Sequence, residues 1–211
     1  MAAALGANVP FAGRIADVDE PARAVSESRT MNPAFRKFHR FVAPWIFLPL
    51  LVTVITGMAY RLGRAWFDLG KVEGSTILHV HIGEWLGKWG SLAYVTITAL
   101  GLLALIATGA TMIWKSRSKL PQRRIHRVLG LILLLPLTAT AVTGLAYRIG
   151  EQFFHMPEAT EDLLMKIHQG SWLGKPFTPF YVLLLGAGLL VLLFTGLQMT
   201  GLFRKKSHHP A

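Results

Sequence analysis

Thr56–Gly63 reads TGMAYRLG, and Thr143–Gly150 reads TGLAYRIG. The offset of 87 residues between them holds without a gap far beyond that stretch. His39 falls on His126, Pro49 on Pro136, His81 on His168, the WLGK of Trp85–Lys88 on that of Trp172–Lys175, and Thr108-Gly109 on Thr195-Gly196. A chain that repeats itself over such a span is two copies of one structural unit. Repeat 1 is placed at residues 33–117 and repeat 2 at 118–204, with tails at 1–32 and 205–211.

Of 211 residues, 52% are hydrophobic and 16% charged, against about 25% charged in soluble domains. The apolar excess lies in four blocks, 41–60, 90–114, 128–147 and 178–203, and none contains Asp, Glu, Lys or Arg. Each is long enough to cross a hydrocarbon core of about 30 Å. The expected fold is all-α: an integral membrane four-helix bundle of two tandem helix hairpins. Parallel repeats of this kind are related by a pseudo-two-fold axis along the membrane normal. Pro49 and Pro136, which lack an N–H, are expected to kink the first and third helices.

Between the blocks, two amphipathic segments predict short surface helices. Gly74-Ser75 is the expected N-cap of the first, which carries Trp85 and Trp89. Thr160 is the expected cap of the second, which carries Trp172 and stops at Pro176. Pro121 is expected to break the loop between repeats.

A net charge of +11 would point to nucleic acid in a soluble chain, but its placement here points to a membrane. The segments next to the tails and the middle loop hold Arg29, Arg36, Lys37, Arg40, Lys115, Arg117, Lys119, Arg123, Arg124, Arg127, Arg204, Lys205 and Lys206 with no acid among them. The other two loops balance seven basic residues against seven acidic ones. The positive-inside rule then puts both termini and the middle loop in the cytoplasm of a multi-pass protein. The membrane is read as a bacterial inner or a thylakoid membrane, and anionic headgroups would attract the basic segments. Residues 1–32 lack a basic run followed by an apolar one, so they are expected to form a mobile cytoplasmic tail and not a cleaved signal. Cysteine is absent, which excludes disulfides, iron–sulfur clusters, covalent c-type haem and thiolate zinc sites.

Of eight histidines, four form repeat-related pairs: His39 with His126 at the cytoplasmic side, and His81 with His168 at the other. His79, His155, His208 and His209 have no histidine at the matching position. The expected symmetry axis sets each pair face to face. Pairing across sides is disfavoured, because the helix from His39 to Gly63 alone is about 36 Å long at 1.5 Å per residue. A lone histidine at a helix end reads as an interfacial residue bonded to a carbonyl. Four at duplicated positions read as metal ligands, the axial set of two six-coordinate b-type haems. His81 and His168 lie outside the predicted spans, and His79 remains an alternative to His81. Arg61 and Arg148, with Lys88 and Lys175, are placed to meet haem propionates outside; Arg36, Arg40, Arg123 and Arg127 are placed to do so inside. The Thr-Gly doublets read equally as helix-packing positions and as ligand contacts.

RKFHRFVAPWIFLPLLVTVITGMAYRLG (36–63) and RRIHRVLGLILLLPLTATAVTGLAYRIG (123–150) resemble the PepSY-associated transmembrane helix family. The shared pattern is a His-Arg opening an apolar helix, a proline, and a Thr-Gly near its end. His81-Ile82-Gly83 and His168-Gln169-Gly170 match a later HxG segment, and the resemblance covers about residues 34–204. It implies a cytochrome b-like membrane protein, since larger members resemble haem-carrying membrane reductases, some acting on ferric siderophores. The external loops, about 25 residues each, are too short for the soluble PepSY domain of those members. The compact four-helix form resembles cyanobacterial members.

The function expected is therefore electron transport across the bilayer by a di-haem b-type cytochrome, a possible oxidoreductase of ferric complexes, linked to quinone or to a redox partner protein. The alternative is an accessory or scaffold subunit of a larger photosynthetic or respiratory complex, its histidines structural or pigment-ligating. A transporter is disfavoured because the spans carry no carboxylate for ion coupling.

Overall fold

The computed structural model describes residues 33–113 and 120–201, and all regular structure among them is helical. The expectations for both tails, and His208 and His209, lie outside the described residues. Helix α1 (Pro33–Trp66) is followed by α2 (Lys71–His81), a 3-10 turn (Glu84–Leu86) and α3 (Gly87–Ile113). Then come α4 (Pro121–Ile132), α5 (Leu134–Phe153), α6 (Glu158–Gln169), a 3-10 turn (Ser171–Leu173) and α7 (Thr178–Thr200).

The 87-residue offset recurs in the backbone itself. Six of the seven residues with positive φ among the described residues, all but Gly201, fall in matched pairs: Asp68 and His155 (46° and 45°), Gly83 and Gly170 (70° and 68°), Gly87 and Gly174 (75° and 89°). Each amphipathic helix therefore ends the same way, with a left-handed glycine just after its last turn. A Cβ at Gly83 would also meet the Tyr94 ring at 2.9 Å, and one at Gly170 would collide with Tyr181. Both the turn and the aromatic neighbour account for the glycine of the HxG segment.

Pro33–Trp66, Glu84–Met112 and Thr178–Thr200 are long and apolar enough to cross a membrane, with mean hydropathies of 2.0, 2.0 and 2.4. The pair α4 and α5 makes a fourth if the bent pair is one span. Only 17%, 17% and 11% of the three apolar windows are buried inside the protein. Trp45, Leu48, Leu135 and Leu184 stand outward, each more than 60% exposed. Helices apolar all round with their large side chains turned out belong in lipid, not water.

Three sequence expectations need correction. The third apolar block is not one helix: α4 and α5 meet at Leu133 with a bend of 58°. Pro136 brings no N–H to the carbonyl of Ile132 and its ring crowds that oxygen. Gly130 just upstream lowers helix propensity by about 1 kcal/mol. Pro49 occupies the matching place in α1 without breaking it, and there Ala43 stands where Gly130 does. The short helices also start earlier than expected. Gly70 and Pro157 precede their first residues, so Ser75 and Thr160 are inside helices, and the Ser75 hydroxyl bonds the Val72 carbonyl. The second ends at Gln169, before Pro176. Finally, Pro121 opens α4 instead of breaking a loop, because the first helical turn needs no N–H at that position.

Helix α1 packs on α2, α3 and α7, and α5 packs on α3 and α6. Ile46, Leu50 and Val54 of α1, Leu133 and Leu137 before and in α5, and Leu189 and Leu193 of α7 form one buried aliphatic cluster. This cluster fills the middle of the helix group and leaves a cavity on the side where α2 and α6 fold back.

Candidate cofactor site

The four repeated histidines share one local arrangement. His81 closes α2, which lies against α1, so its ring reaches that helix at Thr53 and Thr56. Its Nδ1 lies 2.9 Å from the Thr53 carbonyl and 3.1 Å from the Thr56 hydroxyl. The His168 Nδ1 lies 2.9 Å from the Thr140 carbonyl, the matching position in α5. At the other side the His39 Nδ1 lies 2.8 Å from the Thr108 hydroxyl, with the Leu105 carbonyl also in reach. The His126 Nδ1 lies 2.9 Å from the Thr195 hydroxyl, with the Leu192 carbonyl in reach.

A carbonyl oxygen only accepts, so the Nδ1 beside it carries the proton and donates. In a neutral imidazole the lone pair then sits on Nε2. Among the described residues no hydrogen bond engages Nε2 of any of these four rings. His81 is held down to about 4, first by burial and then by the neighbouring His168, and burial lowers His168 as well. Both rings are therefore neutral near pH 7.

Each ring lies over the glycine of a Thr-Gly doublet. A Cβ at Gly57 would stand 3.0 Å from His81 Cε1, at Gly144 2.7 Å from His168 Cε1, at Gly196 3.3 Å from His126 Cε1, and at Gly109 3.6 Å from His39 Cε1. The doublets are thus imidazole seats, and Gly57 and Gly144 also line a cavity. His39 lies within electrostatic reach of His126, and His81 of His168.

His81 and His168 line one cavity of about 350 Å³, within the range of about 300–1,000 Å³ usual for cofactor sites. Its walls are mainly apolar, with Val54, Leu102, Leu137 and Leu189 among them, and Tyr60, Arg61, Tyr147 and Arg148 stand around it. Arg61 Nε, Arg148 Nε and Thr98 Oγ1 are buried with no partner. Unmet buried donors of this kind are costly, on the order of 1–3 kcal/mol each, and here they cluster on a single cavity. The two arginines differ in their remaining contacts. Arg148 Nη1 donates to Glu151 at 2.7 Å and Nη2 to the Ser91 hydroxyl at 2.9 Å, while Ser91 donates to the Ile82 carbonyl. Arg64 stands where a matching partner of Arg61 would be, and Thr178, the counterpart of Ser91, spends its hydroxyl on Gly174.

The remaining candidates fall elsewhere. His79 is on the solvent side of α2, 62% exposed and 3.0 Å from Glu84, so His81 is the cavity residue. His155, Lys88 and Gln152 line a separate polar cleft beside Arg148. Lys88 lies over the Trp89 ring, and Lys175 is exposed. Arg40 donates to the Thr200 carbonyl at 2.8 Å, and Arg36 and Arg123 are exposed. His39 and His126 do not line the cavity. Sequence reading missed Thr53, Thr140, Ser91 and Thr98; the first two were marked by the 87-residue offset, the others by nothing. Among the described residues no three His, Asp or Glu converge on a bare metal ion. Compared with protein-family models, with curated proteins and with solved structures, the chain matches none.

Proposed function

We propose that the protein is a di-haem b-type membrane cytochrome that carries electrons between the two sides of a bilayer. The reading takes it as a four-helix bundle of two hairpin repeats about a pseudo-two-fold axis, with both termini cytoplasmic as the basic segments imply. The carrying observation is the state of the four repeated imidazoles: Nδ1 is occupied, Nε2 is free, and the two on one side share a cavity with two partnerless arginine nitrogens. A pair of imidazoles does not fill the shell of a bare metal ion. It would be enough to hold a haem, which brings most of its iron's donors with it.

On the His81/His168 side the residues fit that group. His81 and His168 would hold the haem on one side through Nε2, and His39 and His126 would hold the other. Nδ1 donation to a carbonyl fixes ring orientation and raises ligand basicity. Gly57 and Gly144 leave room for the rings, and the aliphatic walls exclude water. Arg61 and Arg148 Nε would donate to carboxylates at the polar end of the cavity, a charge-assisted bond stronger than a neutral one. Haem b held this way supplies reversible one-electron iron chemistry. The resemblance to the PepSY-associated transmembrane helix family points the same way, and a quinol or a redox protein is the partner class it implies.

The test is the reduced-minus-oxidised absorption spectrum of the purified protein. Sharp b-type bands at two haems per chain are expected. A colourless but folded protein would instead favour an accessory subunit of a larger membrane complex.

A further inference from the structure

We infer that the two arginines at the cavity do different work: Arg61 selects a carboxylate-bearing ligand, and Arg148 is a strut that ties the two repeats together beside His81. The inference rests on the cofactor reading above and deepens it. Arg148 spends both ends of its guanidinium on the protein. Its Nη1 donates to Glu151 at 2.7 Å, and its Nη2 crosses from α5 to α3 and donates to the Ser91 hydroxyl at 2.9 Å. Ser91 is wholly buried and gives its own proton to the Ile82 carbonyl at 2.7 Å. Ile82 is the cap of α2, directly after His81. Two hydrogen bonds in series thus run from the second repeat to the elbow of the first that carries a cavity histidine. Glu151 cancels the charge of the arginine that makes them.

The repeat supplies the comparison at Arg61. Arg64 stands where Glu151 does, so the acid of the ion pair is missing, and Arg64 itself donates to the Leu69 carbonyl at 2.8 Å. Thr178 stands where Ser91 does and donates at 2.9 Å to the Gly174 carbonyl, one turn back in its own chain. Among the described residues no hydrogen bond or ion pair engages Arg61, and its Nε is buried. Arg61, Glu84, Arg148 and Glu151 are the charged residues lining the cavity. Glu84 lies 3.0 Å from His79, and Arg148 is paired with Glu151, so among the described residues Arg61 is the one left over. A guanidinium keeps five N–H donors in a planar fork, which matches the two oxygens of a carboxylate. Set beside apolar walls, it favours a ligand with an apolar body and an acid at this end.

The experiment measures binding of haem and of iron-free protoporphyrin IX to the detergent-purified full-length protein, each as the free acid and as the dimethyl ester, together with Tm of the ligand-free protein. The iron-free pair reads the carboxylate end without any contribution from the imidazoles. The unsubstituted protein should prefer acid over ester about 10–100-fold. Arg61→Gln should remove most of that preference, leave ester binding as it was, and leave the ligand-free Tm unchanged, because the residue has no protein partner to lose. Arg148→Gln should lower the ligand-free Tm by about 2–8 °C, weaken acid and ester together, and reduce the preference less than Arg61→Gln does. Ser91→Ala breaks the strut with both guanidinium groups in place and should weaken acid and ester by the same factor. An equal loss of preference in the two arginine variants overturns the inference, as does a ligand-free Tm that falls as far in Arg61→Gln as in Arg148→Gln. Haem bound no more tightly than protoporphyrin IX, with the Arg61 pattern intact, overturns the cofactor reading and leaves the selectivity of Arg61 standing.

Discussion

Alanine at the four seat glycines should divide them by the space each histidine leaves. Ordinary van der Waals contact begins at 3.4 Å. The Gly144 Cβ, at 2.7 Å from His168 Cε1 and 2.8 Å from its Nδ1, falls short by about 0.7 Å, and the Gly57 Cβ, at 3.0 Å, by about 0.4 Å. The Gly196 Cβ at 3.3 Å is nearly accommodated, and the Gly109 Cβ at 3.6 Å fits. His168 cannot retreat freely, because its Nδ1 is held to Thr140 at 2.9 Å. Moving it forfeits that bond, worth about 0.5–1.5 kcal/mol net, and overpacking adds about 1–3 kcal/mol. Against this, alanine in a helix interior gains about 0.8–1 kcal/mol over glycine. The clash wins at position 144 and the helix gain wins at 109. Gly144→Ala should therefore lose about 1–3 kcal/mol, which lowers Tm by about 2–12 °C in a chain of this size. Gly57→Ala should lose less, Gly196→Ala should be close to neutral, and Gly109→Ala neutral or slightly stabilised. Thermal unfolding followed by tryptophan fluorescence in detergent reads the order, and haem content of the same samples should follow it on the His81/His168 side. If Gly109→Ala costs as much as Gly144→Ala, the seats are not what the distances say.

Three further outcomes separate residues that sequence alone could not. His79→Ala should leave haem content and stability within error of the unsubstituted protein, since that ring is paired with Glu84 in solvent; His81→Ala should abolish one site, and the opposite ranking would invert the assignment. On the haem reading, Arg61→Gln and Arg148→Gln each remove a charged donor that would meet a haem carboxylate, worth about 1.5–3 kcal/mol or roughly a 10–100-fold loss of retention. Ser91→Ala should weaken retention less than Arg148→Gln does, because Glu151 still holds the guanidinium; retention unaffected by either arginine change would place the ligand's charge elsewhere.

Much of this was legible in the sequence because the repeat is a spacing, and spacing survives without any knowledge of packing. The helical class and the apolar spans follow from the uncharged blocks, and the repeat singles out the four histidines and the arginines at Tyr60-Arg61 and Tyr147-Arg148. What was not legible depended on contacts between distant segments. His81 and His168 looked peripheral because they fall outside the apolar blocks, yet α2 and α6 fold back along α1 and α5 and carry them to a cavity. The role of the Thr-Gly doublets was invisible because threonine and histidine meet across 69 residues at His39 and His126. The break at Leu133 was displaced from the proline that causes it, since Pro136 disturbs the carbonyl one turn earlier. Ser91 carries no signal at all until Arg148 of the other repeat is seen to reach it.

The pairing of the imidazoles is tested most directly by counting haem in single histidine variants of the detergent-purified protein. His81→Ala and His168→Ala should remove one and the same haem, with the same spectral component missing. His39→Ala and His126→Ala should remove the other and leave the first intact. Loss of one component by a variant from each side, such as His39→Ala and His81→Ala, or no loss from any of the four, would contradict the account.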